Sequence, residues 1–388
     1  MSAKRVAIVG AGVAGLVAAL AFARQGVASD IIEQAEQLDE VGAGLQLSPN
    51  ATRILDYIGV LARIETNWNA PISIDLASGR SLRTLTRIEV GTRARQKWGA
   101  PYGVLHRATL QKRLLEAVNE SPLCRLHLGH RLLEATPETI ANIAGERPDL
   151  IIGADGVWSR TRNALKGHGN PVFSGFVAWR FVIPEKNVPA FLSHNRVVGF
   201  LGQHTHLVSY PLRDAGGHNL VAIARGENPG EAWAIKTDNE TQSAFARRNF
   251  AGWHPELQKL VASADDPTWW PLFGVSDGSW TDGRSLALVG DAAHAMLPFA
   301  AQGAAMAIED SFTLARLVDR LPLAEALARY AADRKARVAK VRARGDFNRF
   351  AYHASGPIRL ARNAVFAMTP ANMLSSGLDW IYGYDAGR

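Results

Sequence analysis

Gly10, Gly12 and Gly15 are spaced as GxGxxG, and the acid Glu33 closes the second apolar run after them. The first glycine permits a tight turn, the second lets the backbone approach a pyrophosphate, and the third lets a helix pack closely on a strand. An acid about 20 residues on can accept hydrogen bonds from a ribose. A second set lies late in the chain, where Asp291 ends the apolar run SLALVG and a loop follows from Pro298 through Gln302 to Gly303. An acid at the carboxyl end of a strand sits where open α/β sheets bind ligands, and a loop entering a helix can hold backbone N–H groups against an electron-rich group. The small residues around Asp291 leave room for a flat ring. A third set is His206 and Tyr210 in HLVSYPLR, four apart and so on one face of a strand. An imidazole titrates near neutral pH, which makes His206 the leading candidate for a general base. Ordinary core residues with satisfied hydrogen bonds are the competing reading of this pair.

The elements that position these residues follow from periodicity. Val6 to Glu33 reads as strand, helix and second strand, the last over Ala28–Ile32. The charge-free run from Val6 to Ala23 is nearly long enough to span a membrane, but the glycines gathered at its start and the amphipathic strand after it argue for a nucleotide-binding βαβ unit. Ser48-Pro49 opens a helix through Ile58, after a loop Gly42-Ala43-Gly44 expected near the nucleotide. Ile72 to Leu85 alternates around a turn at Ser78-Gly79, a hairpin that interrupts the α/β pattern. A strand over Gly103–His106 leads into a helix over Ala108–Asn119, with Arg107 and Gln111 facing the same way at its start. The strand DLIIGA ends in Asp155-Gly156, where a strand-end turn and a ligand contact are equally open readings of the acid. Phe173 to Arg225 reads as several strands, and helices follow over Asn239–Phe250, Ala304–Leu317 and Ala324–Asp346. The fold class is α/β, a Rossmann-like domain interleaved with a β-sheet domain, closed by C-terminal helices.

With 388 residues and 47% hydrophobic content the chain has material for more than one domain. Its one cysteine, Cys124, excludes an intramolecular disulfide and a Cys-rich metal site, and fits a reducing cytoplasm; no metal site is expected. MSAKR leads straight into the first strand, so no targeting segment is expected. The net charge of +7 favours anionic ligands. Arg334, Lys335, Arg337, Lys340, Arg342 and Arg344 fall on several faces of one helix, which reads as a solvated surface and not as a nucleic-acid or membrane stripe.

GAGVAG, LHRATLQ, GADGVWSR and LALVGDAAHAMLP occur in an order that resembles the single-component FAD-dependent aromatic hydroxylases, the group typified by salicylate hydroxylase, 3-hydroxybenzoate 6-hydroxylase and 6-hydroxynicotinate 3-monooxygenase. The likeness runs to the closing Trp380-Ile381-Tyr382-Gly383. It implies a p-hydroxybenzoate hydroxylase-like fold, with an FAD-binding domain over 1–70, 98–170 and 275–335, a substrate domain over 71–97 and 171–274, and a helical segment over 336–388. It implies Gly10, Gly12, Gly15 and Glu33 at the ADP half of FAD, Arg107 and Gln111 at its phosphates and ribityl chain, and Asp291 at the ribityl chain. Gln302 and Gly303 would sit beside the flavin, and Asp155 would serve both FAD and the nicotinamide donor. His294 is implied as loop support, without a catalytic role.

The implied reaction uses NAD(P)H and O₂, and a flavin C4a-hydroperoxide hydroxylates a small phenolic or heteroaromatic acid. His206 and Tyr210 would contact and help deprotonate the phenol, with Pro298 beside them. Gln46 would line the same pocket, and Arg180 would meet a carboxylate or, equally, form a structural ion pair. Departures from the family concern the substrate: Phe299 stands where a polar residue is often found, Pro298 stands where some members have Gln, and the segment from Leu126 to Asp149 is short. Phe299 leaves open a larger, less polar substrate, and a reductase that never uses oxygen is the other alternative. A homodimer, the choice between NADH and NADPH, and any accompanying decarboxylation stay open.

Overall fold

The computed structural model describes residues 3–38, 44–228, 230, 235–236, 238–262, 264 and 267–387. Gly42 and Ala43 of the loop expected near the nucleotide lie outside the described residues.

Two sheets carry the molecule. The first is parallel and five-stranded, in the order Leu286–Leu288, Leu150–Gly153, Arg5–Val9, Ala28–Ile32, Cys124–His127. Three of its strands, Arg5–Val9, Leu150–Gly153 and Leu286–Leu288, are near-continuous apolar runs because helices cover the sheet, chiefly Val13–Arg24 and Gly303–Arg320. The strand order reverses at Arg5–Val9, where the chain first builds outward on one side through Ala28–Ile32 and later returns to the other side with Leu150–Gly153, so a crevice opens at its carboxyl end beside the glycine turn.

The second sheet has eight strands, in the order Ile235–Lys236, Thr268–Val275, Pro171–Pro184, Gly217–Arg225, His206–Leu212, Arg196–Leu201, Ser73–Ser78, Thr84–Glu89. The early hairpin therefore joins the same sheet as the later strands, with Ser73–Ser78 parallel to Arg196–Leu201. Alternation sorts its side chains. On Pro171–Pro184, Val177, Trp179 and Phe181 enter a core with Phe245, Phe250 and Trp253, while Phe176, Ala178 and Arg180 face the other way, toward the first sheet. Gly44–Leu47 pairs antiparallel with Gly103–His106 as a separate two-stranded ribbon.

The longest helix is Leu323–Tyr352, which runs six residues beyond the expected end at Asp346. It also corrects the reading of its basic residues. Arg334 is fully buried and Arg337 is 8% exposed, so neither belongs to a solvated surface. Both are counterions to acids on the neighbouring helix: Arg334 meets Glu309 and Asp310 at 2.7 Å each, and Arg337 meets Glu309 at 3.0 Å.

Candidate active site

A cavity of about 310 Å³ lies between the two sheets, walled by the glycine turn, the loop after Asp291 and the inward face of the eight-stranded sheet. The three glycines play different parts. A Cβ on Gly10, whose φ is +105°, would sit 2.6 Å from the Ala154 carbonyl oxygen, and one on Gly15 would sit 1.9 Å from the Gly10 carbonyl oxygen. These two are needed for close backbone approach. Gly12 has open space within 4 Å of where its Cβ would be, and it lines the cavity at the start of the first helix. An open cradle at a helix N-terminus suits a phosphate group.

Glu33 and Gln111 shape that turn from behind. Glu33 accepts from the Ala11 N–H at 2.8 Å and the Ala35 N–H at 2.9 Å, while the buried Gln111 amide donates to the Ala11 carbonyl at 3.0 Å. Arg107, in contrast, lines the cavity. Asp155 does not: its carboxylate accepts from Ser159 Oγ at 2.5 Å, from the backbone N–H groups of Arg160 and Thr161 at 2.9 and 3.0 Å, and from Thr161 Oγ1 at 3.0 Å. Of its two readings the strand-end turn is the one these bonds describe, and Gly156 is the member of the pair that reaches the cavity.

Asp291, Met296, Pro298, Ala301 and Gly303 form the opposite wall. Their loop is held by buried charge. Asp310 accepts from the Gly290 N–H at 2.9 Å and pairs with His294 Nε2 at 2.5 Å, while Arg334 holds its other oxygen. His294 thus faces the helix beneath the loop. Gln302 is turned away from the cavity as well; it bonds Ser48 Oγ at 3.0 Å and Asn50 Nδ2 at 3.1 Å, and Asn50 in turn reaches Glu309 at 2.7 Å. Expected beside the flavin, Gln302 instead ties the loop to the helix Pro49–Tyr57.

The third wall comes from alternate residues of three strands: Arg180; His206, Val208 and Tyr210; Val221 and Ile223. Gln46 joins them from the ribbon, its Oε1 accepting from the Tyr102 hydroxyl at 2.5 Å. Burial pushes the Tyr210 phenol well above its ordinary value despite the nearby Arg180 and Asn219, so it stays protonated. Arg180 forms no ion pair among the described residues. Its guanidinium lies 5.2 Å from the Trp270 ring centroid, and burial lowers its pKa against the pull of Tyr210.

His206 is 2% exposed, and burial, then the neighbouring His353, hold its imidazole well below the ordinary range. Its Nδ1 is 2.9 Å from His353 Nε2, a partner that sequence reasoning missed. Phe299 is corrected: it does not line this cavity. It packs behind the wall against Phe176 at 5.7 Å and His206 at 5.4 Å between centroids, and faces a smaller cavity of about 190 Å³. Among the described residues one cluster could ligate a metal ion, Glu185 with His194 and His218, and none of the three lines the main cavity.

A family model described as an FAD binding domain matches residues 3–344. The chain is 33% identical over 396 residues to 3-amino-4-hydroxybenzoate 2-monooxygenase of Streptomyces platensis, covering 98% of this chain and 96% of that one. It is 33% identical over 396 residues to 3-hydroxybenzoate 6-hydroxylase 1 of Aquipseudomonas alcaligenes, covering 97% of each. The chain belongs to the FAD-dependent aromatic monooxygenases. Its fold is also that of a salicylate hydroxylase substrate complex, with a TM-score of 0.79 at 22% identity over 100% of this chain and 97% of the other. The monooxygenase uses FAD and takes electrons from NAD(P)H. Its residues fit that cofactor: the Gly12 cradle and Arg107 suit the pyrophosphate, Asp291 suits the ribityl hydroxyls, and the small residues Ala301, Gly303 and Ala304 leave space for a flat ring. No helix among the described residues is long and apolar enough to cross a membrane.

Proposed function

We propose that this monooxygenase hydroxylates a small phenolic aromatic or heteroaromatic acid. The observation that carries the substrate class is the cavity wall itself. Arg180, His206 and Tyr210 face one space, and Arg180 is a buried cation to which no carboxylate among the described residues is paired. An unpaired buried charge is costly, so a ligand that brings a carboxylate gains a charge-assisted, bidentate partner. The relatives named for hydroxybenzoates support the same class. Phe299, which favoured a larger apolar substrate, packs outside the cavity and withdraws that motive.

Bound FAD supplies the reduction and oxygen transfer to the ring. The chain's own residues prepare the ring for it. Arg180 anchors the carboxylate and so fixes which edge of the ring enters the deeper part of the cavity. Val208, Val221 and Ile223 exclude water from the ring faces. His206, with Nδ1 engaged by His353, offers Nε2 to the ring hydroxyl and takes its proton, because a phenolate is the stronger nucleophile. Tyr210 stays protonated and hydrogen-bonds the same oxygen. Gln46 and Pro298 complete the rim, and Arg107, Asp291 and Gly303 hold the cofactor with Gly12.

The proposal keeps the division into an FAD-binding and a substrate domain, with the flavin ring at the junction of the two sheets, but not the boundary at 335/336, which falls inside the helix Leu323–Tyr352. The proposal extends to a cytoplasmic homodimer; the exposed apolar residues Ile358, Leu360, Val365 and Met368 on one C-terminal helix support self-association, which light scattering tests.

The test of the substrate class is a panel of phenolic acids and their decarboxylated analogues. It is scored for stimulated NAD(P)H oxidation and for hydroxylated product by mass spectrometry. Acids with a ring hydroxyl are expected to stimulate and to gain one oxygen. Stimulation by neutral phenols alone would remove the carboxylate, and NAD(P)H oxidation without oxygen uptake would make the protein a reductase.

A further inference from the structure

We propose that His353 is a positioning residue that passes the phenol proton from His206 to solvent, so that the proton leaves the cavity instead of resting on the base. This rests on the reading of His206 as the base of a phenol hydroxylase.

The geometry comes from two distant parts of the chain. His206 opens the strand His206–Leu212, and His353 caps the helix Leu323–Tyr352, yet Nδ1 of the first lies 2.9 Å from Nε2 of the second. His206 Nδ1 is thereby used, and Nε2 is the nitrogen left for the cavity that His206 lines. On the other ring Nε2 is used, and among the described residues no side chain bonds Nδ1. His206 is buried, whereas His353 is half-buried, so the pair leads from the cavity outward. The rings of Phe299, Phe176 and Tyr352 enclose it, with Phe299 5.4 Å from His206 and 5.5 Å from His353. That apolar sleeve keeps water from short-circuiting the route.

The charges around the pair push a proton out. The titratable and charged groups facing His353 from the packed elements are His206, His204, Arg225 and Arg349, with Tyr352 beside the rings and Asp346 held to Arg349 at 3.3 Å. Among the described residues no acid bonds either imidazole. Burial first, then His204, Arg349 and Arg225, bring His353 down to about 4, and His206 is also held well below its ordinary value. A histidine whose pKa is depressed gives up its proton at any pH above that value, so at neutral pH both rings are neutral.

Neutral rings can still carry a proton by exchanging tautomers. The phenol O–H bond breaks as an N–H bond forms at His206 Nε2. The Nδ1–H of His206 breaks as Nε2–H of His353 forms, and the Nδ1–H of His353 passes to water. The products are a phenolate and one proton in solvent; nothing is oxidised or reduced. When the hydroxylated product takes up a proton by the reverse route, both rings recover their first tautomers.

The experiment mixes oxidised holoenzyme rapidly with the phenolic acid that gives the fastest turnover in the panel above, in weak buffer with a pH indicator. Wild-type protein is expected to release a proton on binding at a rate independent of buffer concentration. His353→Gln should bind FAD and ligand as wild type does but release the proton at least tenfold more slowly, at a rate that rises with buffer base. A merely structural role would not create that buffer dependence. Wild-type release by His353→Gln, with slow release by His206→Gln, overturns the relay and leaves the base in place. Wild-type release by both variants overturns the base as well. Should His353→Gln fail to fold, the proton inventory of wild-type release in H₂O/D₂O mixtures decides: a curved plot is expected for transfers that move together, and a linear plot overturns the proposal.

Discussion

The three glycines of the turn make opposite demands, and two substitutions separate them. Gly12→Val puts its side chain into the open space that lines the cavity, on a backbone at φ −73° and ψ −177° that any residue adopts. It meets no protein atom within 4 Å at Cβ, so the apo fold should be unchanged within about 0.5 kcal/mol. What it displaces is the pyrophosphate. Losing two hydrogen bonds to a charged group, each about 1.5–3 kcal/mol, weakens FAD by roughly 3–6 kcal/mol. At 1.4 kcal/mol per decade that is roughly a hundredfold to ten-thousandfold in Kd. Gly15→Ala does the reverse. Its Cβ would lie 1.9 Å from the Gly10 carbonyl oxygen, far inside the 3.0 Å that real Cβ atoms keep, so helix and strand must separate. Overpacking of this kind costs about 1–3 kcal/mol or more of stability before any cofactor is added. The assay is flavin fluorescence titration for Kd and thermal unfolding of the apo forms, because bound FAD would raise Tm by mass action and hide the difference. A Gly12→Val protein that purifies yellow with wild-type Kd, or whose apo form melts well below wild type, would refute the division of roles.

Arg180→Leu should raise KM for carboxylated substrates roughly 10- to 100-fold, the worth of a charged hydrogen bond of about 1.5–3 kcal/mol, and leave neutral phenols nearly untouched; equal losses for both would assign Arg180 to the wall and not to a carboxylate. Arg334→Met leaves Glu309 and Asp310 buried without their shared cation and should cost about 3–5 kcal/mol in urea unfolding. An unchanged urea midpoint would mean that the charge cluster contributes nothing to stability. Asp155→Asn should lower stability by about 1–3 kcal/mol through its turn, with FAD affinity of the folded protein retained. Selective loss of FAD without loss of stability would return Asp155 to the cofactor.

What the sequence carried best was local. The first strand, helix and second strand fell where the glycines and apolar runs put them, since all their determinants lie within one βαβ unit. The same holds for His206 and Tyr210, which period two alone places on one face, and which do line one cavity. What was not legible depended on neighbours far along the chain. Arg180 and Arg334 are the same residue type in apolar surroundings. Only tertiary contact decides that Arg334 has two buried acids beside it and that Arg180 pairs with none among the described residues. His353 was hidden for a related reason: the helix that delivers it continues past Asp346 through FNRFAY with Phe347 and Phe350 exposed, so apolar periodicity fades before the residue that matters. Its partner is 147 positions away. Phe299 misled because its neighbour Pro298 does reach the cavity, and within that loop adjacent residues face different spaces.

The placement of charge bears on why a base would be linked to a second imidazole at all. A carboxylate against Arg180 makes a neutral pair, and the phenol is neutral until it reacts. Deprotonation then creates a negative charge in a cavity walled by Val208, Val221 and Ile223, where attraction between opposite charges is strong. If the proton stayed on His206, the imidazolium would hold the phenolate in a close ion pair and draw electron density away from the ring that must act as nucleophile. Exporting the proton through His353 removes that pair and leaves the more distant Arg180 and the protonated Tyr210 to stabilise the oxygen. Both histidines must then be poor proton holders, and a carboxylate beside either would defeat the arrangement by stabilising its cation. The surroundings of the pair agree with this requirement: aromatic rings on its flanks, Arg225 and Arg349 at its outer end, and, among the described residues, no acid bonded to either ring. Among the described residues the buried acids lie elsewhere: Asp30 and Asp75 pair with arginines of the two sheets, and at Glu309 and Asp310 paired charge fixes a loop and no proton needs to move.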